Sequence, residues 1–322
     1  MLNVTFDNIN QSYPVLIQHI LDDGKEISPR GLSTKELSPV TITITNPLNN
    51  IIFNETRKLN YGFMLGELAW ILQQSDDVEH ICHYNNNWRQ FSDDGISLNG
   101  AYGKRIFRYG KTEIDQFRNV IAILKKDPES RQAVIVLFDP SLDYLDTKDK
   151  PCTNLIKFMI RNKQLHMLVF MRSNDLILGY PYDVFNFTSL QALAATMLKV
   201  EVGTYTHVVD SLHVYTSQLS WCEDIAKDNH VSTLYFNHNM NSNDRQTFLN
   251  IEQTTRKLSQ LDIKYTLKML DDMDNDYWRS NAAFLALYNY RKARYGEELL
   301  SQIRPYITNE LTIILDRYKA LT

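Results

Sequence analysis

Hydrophobic residues along the chain follow two different periods, and each period predicts its own kind of element. Residues 40–47 alternate β-branched and polar side chains, which predicts a half-buried strand. Residues 61–74 carry apolar side chains at helical spacing and predict a helix. The apolar stretch 131–138 predicts a buried strand, and residues 155–173 predict a hairpin with a tight turn. Residues 184–202 predict a long helix that is apolar on more than one face and is therefore central.

The remaining segments complete a mixed order of elements. Helices are predicted at 14–22, 112–126, 217–228, 243–258, 275–293 and 306–320, strands at 204–215 and 262–269, and loops at 23–40, 84–105 and 139–151. Because strands and helices follow each other without regular β-α-β units, this order indicates an α+β fold, with a mixed sheet and surrounding helices. The charged tail predicts two parts, a main domain over 1–240 and a mainly helical extension over 241–322 packed on the same domain.

Composition excludes several classes of protein. Of 322 residues, 43% are hydrophobic and 22% charged. The net charge of −4 disfavours non-specific binding along nucleic acid, which needs a strong excess of basic residues. Apolar runs such as Ala133 to Phe138 are too short to span a membrane. The N-terminus lacks the basic and apolar regions of a secretory signal, and three cysteines are too few for a disulfide framework. We therefore expect a cytoplasmic protein, or one of the host cytoplasm if a phage encodes it.

Several polar residues could carry chemistry, although each has a simpler interpretation. Cys152 in the segment KPCTN could be a nucleophile or an ordinary loop residue. Arg172, followed by a hydroxyl, suits an anionic group, but it could equally pair with Asp175 at a strand end. Asp183 could act on a ligand or cap the central helix. No metal site is expected, because the cluster at 80–83 has no second pair of ligands at a structural spacing.

Taken together, these residues fall into motifs with a known order. The chain contains GELAWILQ (66–73), NNNW (85–88), NGAYGKR (99–105), DPESRQAV (127–134), P-C-T, then R-S-N-D with L-G-Y-P-Y-D, and finally D-S-L-H-V-Y. Arg30 and Gly31 precede them. This series resembles the thymidylate synthase superfamily, and the main domain is then a catalytic domain of that fold.

The resemblance implies a role for each matching residue. Cys152 would attack C6 of a pyrimidine nucleotide, aided by Arg172, and Glu67 would organise water and proton transfers. The phosphate would be held by Arg30, Arg172 and Ser173, and by Arg131 reaching across a homodimer to the partner's site. His213 and Tyr215, on one face of a predicted strand, would hold the sugar, unless they are an interior pair bonded to the backbone. The cofactor implied is 5,10-methylenetetrahydrofolate, facing Glu67, Trp88, Asp175, Leu178, Gly179 and Tyr182. The implied partners are thus a nucleoside monophosphate, folate and a second copy of the chain, without nucleic acid or membrane.

Four departures from thymidylate synthases bear on the reaction. Asp183 replaces an Asn that matches the uracil edge, and a carboxyl group can instead accept from the amino group of cytosine. Thr153 replaces His, and Gln132 replaces a second Arg after Arg131. The chain also lacks the usual C-terminal segment that closes over folate, which fits a site that admits water.

Of these departures, Asp183 favours the cytidylate 5-hydroxymethylase branch, and the missing C-terminal segment supports it. We expect folate-dependent hydroxymethylation of dCMP, with CMP possible, through an adduct of Cys152, with Asp183 holding the cytosine edge. The alternatives are a divergent thymidylate synthase that methylates dUMP and a non-catalytic nucleotide-binding homologue.

Overall fold

The computed structural model describes residues 1–228, 240, 242–257 and 263–318. The strands are β1 (Leu2–Phe6), β2 (Lys25–Ile27), β3 (Thr34–Leu37), β4 (Val40–Ile44), β5 (Val134–Val136), β6 (Thr153–Arg161), β7 (Gln164–Met171), β8 (Asn174–Asp175), β9 (Glu201–Val209) and β10 (Leu212–Tyr215). The helices are α1 (Ile9–Asp23), α2 (Tyr61–Leu72), α3 (Val78–Tyr84), α4 (Tyr102–Phe107), α5 (Gln116–Lys126), α6 (Pro140–Asp143), α7 (Tyr180–Leu198), α8 (Leu219–Lys227), α9 (Ser242–Lys257), α10 (Ile263–Asp271), α11 (Asp276–Lys292), α12 (Glu297–Ile303) and α13 (Asn309–Tyr318).

The larger sheet has six strands in the order β1-β4-β9-β7-β6-β5. The pairs β1–β4 and β7–β9 are parallel and the others antiparallel, so the sheet is mixed, as the sequence predicts. The predicted hairpin is present as β6 and β7, and its two-residue turn holds Asn162 and Lys163 at positive φ. Alternate residues of β7 and β9 are buried, and α7 packs on this face.

The central helix α7 is confirmed. Fifteen of its residues are buried, from Tyr180 to Ala195, so it has no wide polar face. A helix with this pattern has to be enclosed, because exposing any side of it would leave apolar surface in water. The sheet covers one side, while α2 and α5 pack on others. The first turn of α7 is thereby enclosed, with Tyr180, Pro181 and Tyr182 buried.

A second, smaller sheet has four strands in the order β2-β3-β10-β8. Two of its strands, β2 and β3, fall in the segment 23–40, for which the prediction of a loop is wrong in part. The sequence of β3, Thr34–Leu37, is largely polar, so its pattern carries little strand signal. It forms a strand because its backbone pairs with β10, with His213 opposite Glu36. The alternating segment 204–215 is correspondingly divided between β9 and β10, one in each sheet.

Two other predictions are corrected. Residues 263–271 form the helix α10 and not a strand, since the buried residues Ile263, Thr266 and Leu270 recur at helical spacing. A strand would place Tyr265 on the same face as the buried Ile263, but Tyr265 is 43% exposed. Residue 262 lies outside the described residues. The first helix also begins earlier than predicted, at Ile9, with the Asn8 side chain accepting a hydrogen bond from Gln11 N.

Segments predicted as loops contain short helices. The region 84–105 holds a 3-10 helix at Asn86–Phe91 and most of α4, and 139–151 holds α6. The strand predicted over 131–138 is limited to β5, and the N-terminal strand β1 and helix α12 were not predicted. Such elements depend on tertiary contacts, since their sequences are too short to show a period.

The C-terminal helices contact the rest of the fold through a buried polar cluster. Glu252 on α9 is fully buried, and its two carboxylate oxygens accept hydrogen bonds from Tyr84, Gln73 and Arg256 at 2.6–2.8 Å. Helix α11 packs on α2 as well as on α9. Within the described part of the chain, no helix is long and apolar enough to cross a membrane.

Candidate active site

The register of the β6–β7 hairpin brings Cys152 next to Arg172. Thr153 pairs with Met171, so the two residues that follow outward face each other, and Arg172 N donates to Cys152 O over 2.9 Å. The guanidinium turns back over the loop before β6, where it donates to the carbonyls of Lys150 and Pro151. Its Nη2 lies 3.7 Å from Cys152 Sγ. A strand end thus places a cation beside a thiol.

The Cys152 thiol lies between opposing electrostatic influences. Burial raises its pKa above the ordinary value, whereas Arg172 and, more weakly, Arg30 lower it. The carboxylates of Asp183 and Asp149 raise it again. Arg172 therefore acts in the direction that a thiolate nucleophile needs, and the free thiol is mostly protonated near neutral pH. A bound anion or a loss of carboxylate charge would change this balance.

Asp183 lies in the first turn of α7 and does not cap it. The N-cap position belongs to Gly179, and the Asp183 carboxylate instead accepts a hydrogen bond of 2.7 Å from the Asn174 amide. Burial is the main cause that raises the pKa of Asp183 to about 7, with a further contribution from Asp175. The simpler interpretation of this residue as a helix cap is therefore wrong. A carboxyl group with a pKa near 7 can both donate and accept protons at neutral pH.

Glu67 faces the same space from α2. Eleven of the twelve residues of this helix are buried, and Glu67 is the partly exposed exception. Burial, together with the nearby charge of Asp183, raises its pKa to about 8. Its Oε2 accepts a hydrogen bond of 2.7 Å from Asn186, one turn further along α7 than Asp183. Asp183 and Glu67 are thus two carboxyl groups of raised pKa, each oriented by one amide.

Asp175, His213 and Tyr215 come together on the small sheet. The parallel register of β8 and β10 places His213 directly beside Asp175. Burial raises the pKa of the Asp175 carboxyl on balance, although the His213 imidazole lowers it. His213 and Tyr215 point to one face of β10, as predicted, with their rings 5.8 Å apart and perpendicular. The His213 ring also contacts the backbone, Nδ1 lying 3.3 Å from Ser211 O. Ser173, just before β8, is partly buried.

Four further residues that the resemblance implies to face folate differ in their exposure and packing. Leu178 is 49% exposed despite its apolar side chain, and Trp88 is half-buried between Trp70 and Phe91. Tyr182 is largely buried, with its ring edge-on to Phe63. Gly179 has a packing role, since an added Cβ would lie 3.0 Å from Asn174 Nδ2.

A folate-like ring fits the donors and acceptors present here. Asp175 Oδ1 accepts from the backbone N–H groups of Ile177 and Leu178 at 2.7 Å. Its Oδ2 is buried and has no hydrogen-bond partner among the described residues. A buried carboxylate oxygen in this state calls for an N–H donor, which a pterin can supply. The apolar surface of Leu178 and Trp88 suits the faces of such a ring.

The two remaining arginines occupy exposed positions. Arg30 lies in a 3-10 turn at Pro29–Gly31 with a φ of 54°, and it is close enough to influence the Cys152 thiol. Arg131 is exposed three residues before the start of β5, the edge strand of the larger sheet. No contact among the described residues joins it to the cluster around Cys152. The single chain therefore brings Arg30 to the site and leaves Arg131 apart from it.

Sequence reasoning missed several residues that shape the site. Asn174 donates to the Asp183 carboxylate and Asn186 to the Glu67 carboxylate, and the Tyr102 hydroxyl accepts from Thr153 N and Oγ1. Asn174 and Tyr102 lie inside motifs that were recognised, so their positions offered a signal. Asn186 lies one turn after Asp183, which is the spacing at which two residues share a helix face.

The loop that carries Cys152 is fixed by buried charges. Asp143 on α6 binds the Arg105 guanidinium through both oxygens, at 2.6 and 2.7 Å. Asp149 accepts from Gly100 N, and Asn99 donates to the Asp149 carbonyl. Nothing in the described ranges groups three or more side chains suited to metal binding.

Comparison with known proteins identifies the family of the chain. The family model described as thymidylate synthase matches residues 11–289. This chain is 38% identical over 216 residues to a deoxyuridylate hydroxymethyltransferase of Bacillus phage SP01. The matched region covers 64% of this chain and 56% of that protein. The chain is 33% identical over 217 residues to a deoxyuridylate hydroxymethyltransferase of Pseudomonas phage M6, covering 66% of this chain and 61% of that protein.

A further relative is a putative thymidylate synthase of Methanocaldococcus jannaschii, 29% identical over 225 residues, covering 68% of this chain and 92% of that protein. The chain thus spans about three fifths of the length of the two phage relatives. Since the family model covers most of its residues, the chain belongs to the thymidylate synthase family.

Proposed function

We propose that this chain is a folate-dependent 5-hydroxymethylase of a cytidine monophosphate, with dCMP as the favoured substrate and CMP as a possible one. The observation that carries the proposal is Asp183, a carboxyl group of raised pKa in the same cluster as Cys152. Thymidylate synthases, by the resemblance above, have a carboxamide there. The two phage relatives named as hydroxymethyltransferases support the type of reaction.

The base is selected by the hydrogen bonds that Asp183 can make. Cytosine presents an amino group at C4 and an acceptor at N3, whereas uracil presents an acceptor at O4 and a donor at N3. An ionised Asp183 accepts from the cytosine amino group and repels uracil O4. A protonated Asp183 offers one donor and one acceptor and can pair with either base. The carboxylate form therefore discriminates, because a buried mismatch leaves polar groups unpaired.

Covalent activation begins at Cys152. Its thiolate bonds to C6 of the ring, which makes C5 nucleophilic, and Arg172 favours the thiolate. When bound, the folate supplies a one-carbon unit to C5 and leaves as tetrahydrofolate, while the C5 proton passes to a base. A water oxygen then bonds to the new carbon and loses a proton. The bond between Sγ and C6 breaks, which restores the ring double bond and the thiolate.

Glu67 is the residue proposed to handle protons and water in these steps. With a pKa of about 8 it is mostly protonated at neutral pH, and it can release and recover a proton at little cost. Folate itself would be held by Asp175, whose Oδ2 has no hydrogen-bond partner among the described residues, and by Trp88, Leu178 and Tyr182. Gly179 would contribute by allowing the close approach of Asn174.

The nucleotide would be anchored at both ends. Arg30, Arg172 and Ser173 are proposed to bind the phosphate, and His213 and Tyr215 the sugar hydroxyl. Arg131 lies outside this cluster, so its proposed role requires a homodimer in which it reaches the partner's phosphate. The division into a catalytic domain over 1–240 and a helical extension over 241–322 also remains a proposal.

A second candidate is hydroxymethylation of dUMP, which the names of the two phage relatives favour. In that case Asp183 would bind uracil in its protonated form. Methylation of dUMP differs from both reactions, because it oxidises the folate to dihydrofolate. A non-catalytic role would leave the thiol without covalent chemistry.

The test is a substrate screen. The purified chain is incubated with methylenetetrahydrofolate and C5-tritiated dCMP, CMP, dUMP or UMP, and tritium release, product mass and dihydrofolate are measured. We expect hydroxymethyl product from dCMP without dihydrofolate, no turnover by Cys152→Ser, and a shift toward dUMP in Asp183→Asn. Preference of the unaltered chain for dUMP would replace the proposal with the second candidate, and dihydrofolate formation would indicate methylation.

A further inference from the structure

Asp183 is the end of a buried chain of hydrogen bonds that reaches into the large sheet. Its Oδ2 lies 2.7 Å from Asn174 Nδ2, and Asn174 Oδ1 lies 3.0 Å from His207 Nε2. His207 Nδ1 lies 2.8 Å from the hydroxyl of Tyr205. Asn174 is 3% exposed, and both His207 and Tyr205 are 0% exposed. The chain therefore crosses from β8 to β9 without contact with solvent.

The direction of these hydrogen bonds follows from the groups themselves. Burial lowers the pKa of His207 to about 3, so the ring is neutral and has a single N–H group. The Tyr205 hydroxyl has no other hydrogen-bond partner among the described residues, so it has to donate to Nδ1 to avoid a buried, unpaired hydrogen. Nε2 then carries the proton and donates to Asn174 Oδ1. The amide of Asn174 is thereby held with its nitrogen toward Asp183.

We propose that Asn174, locked in this orientation by His207 and Tyr205, is a positioning residue that keeps Asp183 Oδ2 as a hydrogen-bond acceptor. Any proton on the carboxyl group is then confined to Oδ1. The inference rests on the proposed function in one respect, namely that Asp183 reads the base. If so, this chain of hydrogen bonds decides which oxygen of Asp183 offers a donor to the ring and which remains an acceptor.

Gly179 gives independent support for this contact. A Cβ at this position would lie 3.0 Å from Asn174 Nδ2 and 3.3 Å from Asp183 Oδ2, on both partners of the hydrogen bond. Contacts this short would force one of the two groups to move. The absence of a side chain at Gly179 is therefore what allows Asn174 and Asp183 to meet at 2.7 Å.

The groups that face Asp183 do not offer another explanation for its orientation. Glu67 on α2 and Asp175 on β8 are acidic, as is the thiol of Cys152, and the hydroxyls of Tyr102 and Tyr205 are the remaining titratable groups close enough to sense its charge. Arg172 and Arg30 act on the Cys152 side. Asn174 is the one described side chain that lowers the pKa of Asp183.

The experiment follows the carboxyl group directly and needs no substrate. Protein labelled with carbon-13 at the aspartate carboxyl is titrated by NMR, and Asp183→Asn identifies the signal. We expect Asn174→Leu to raise the pKa of Asp183 by about one unit, since a hydrogen bond to the charged form is lost. His207→Phe should shift it in the same direction, and His207→Gln, which keeps an N–H donor, should restore most of the original value.

Asn281→Leu is the matched control. Asn281 is 3% exposed and accepts one hydrogen bond of 2.8 Å, from Tyr61, so its loss perturbs a buried amide of the helical part. This variant should leave the Asp183 titration unchanged. An unchanged titration in Asn174→Leu would overturn the inference. If Asn174→Leu does not fold, Tyr205→Phe, which removes one oxygen, is expected to raise the pKa of Asp183 by a smaller amount. An unchanged pKa in Tyr205→Phe would then overturn the inference.

The second readout is base preference. In Asn174→Leu the ratio of kcat/KM for dCMP over dUMP should fall by about 10-fold, because the carboxyl proton is no longer confined to one oxygen. An unaltered chain that prefers dUMP would refute the proposed function, while the NMR titration would still decide the role of Asn174. A titration that moves without any change of the ratio would refute the link between the two.

Discussion

Arg172 binds both the thiol and the backbone of Cys152's own loop. Nη2 lies 3.7 Å from Sγ, while the guanidinium donates to the carbonyls of Lys150 and Pro151 at 2.9 and 3.1 Å. One side chain therefore lowers the pKa of the thiol and fixes the segment that carries it. Rigid positioning of this kind is what a nucleophile needs if its attack geometry is to survive thermal motion.

Replacing Arg172 should make Cys152 less reactive. We expect Arg172→Met to raise the thiol pKa by roughly one unit and slow its alkylation at pH 7 by ~10-fold, because the neighbouring cation is lost. The measurement is the pH dependence of iodoacetamide labelling, followed by mass spectrometry of the Cys152 peptide. Arg161→Met, at the opposite end of β6, serves as the control. Equal labelling rates in both variants would contradict the assigned contact.

Base preference should depend on pH through Asp183. Its pKa is raised to about 7 by burial, so the carboxyl is mainly neutral at pH 6 and mainly ionised at pH 8. Only the ionised form repels uracil O4, so the ratio of kcat/KM for dCMP over dUMP should rise with pH by ~10-fold across this interval. Asp183→Asn has no charge to lose and should give a flat ratio. A ratio that falls with pH in the unaltered chain would rule out this mechanism of selection.

Glu67→Gln should separate catalysis from stability. Loss of a general acid–base group is expected to lower kcat by ~10²–10⁴-fold. The pKa of Glu67 is raised from 4.5 to about 8, mainly by burial, so the folded state holds the proton more tightly than the unfolded state. The stability that depends on a protonated Glu67 is fully present below pH 4.5 and is lost as the pH rises through 8.

The variant, which has no proton to lose, should therefore be more stable than the unaltered chain at pH 8.5, by ~1–3 kcal/mol, and similar to it at pH 5. Thermal unfolding at the two pH values measures the difference. Glu129→Gln, an exposed residue in the turn after α5, is the control and should show no such contrast. A destabilised Glu67→Gln at pH 8.5 would mean that the carboxylate is held by favourable contacts.

Glu252 should have the opposite dependence on pH. Burial opposes its charge, but contacts with His80 and Arg256 prevail and lower its pKa from 4.5 to about 2. Its contribution to stability is thus complete above pH 4.5 and is lost as the pH falls toward 2. Glu252→Ala should cost ~3–5 kcal/mol near pH 7, because it leaves the buried Arg256 without its partner.

The cost should shrink on acidification, as urea unfolding at pH 7 and pH 3 would measure. The exposed Glu298, on α12, provides the control substitution Glu298→Ala, with an expected change within ±0.5 kcal/mol. If Glu252→Ala unfolds only α9 to α13, the C-terminal helices are a separate unit. One cooperative transition would indicate that the cluster joins them to the rest.

The sequence by itself determined the elements that are long enough to show a clear hydrophobic period. The alternation of β4, β6, β7 and β9 and the apolar surface of α7 identified the sheet and its central helix, because burial on one or both faces imposes a period on the residues. The ordered motifs around Cys152, Arg172 and Asp183 likewise identified the family. The short, polar strand β3 was missed because it depends on a partner far along the chain, whereas α10 was misassigned although its buried residues recur at helical spacing.

Only the tertiary structure decided how the site residues act on one another. The hairpin register placed Arg172 beside Cys152, and the packing of α2 against α7 brought Glu67 within the field of Asp183. The raised pKa values of the two carboxyls follow from burial, a property of the assembled fold that no local sequence pattern specifies. The partners Asn174 and His207 meet because β8 and β9 lie near each other in space, 33 residues apart along the chain.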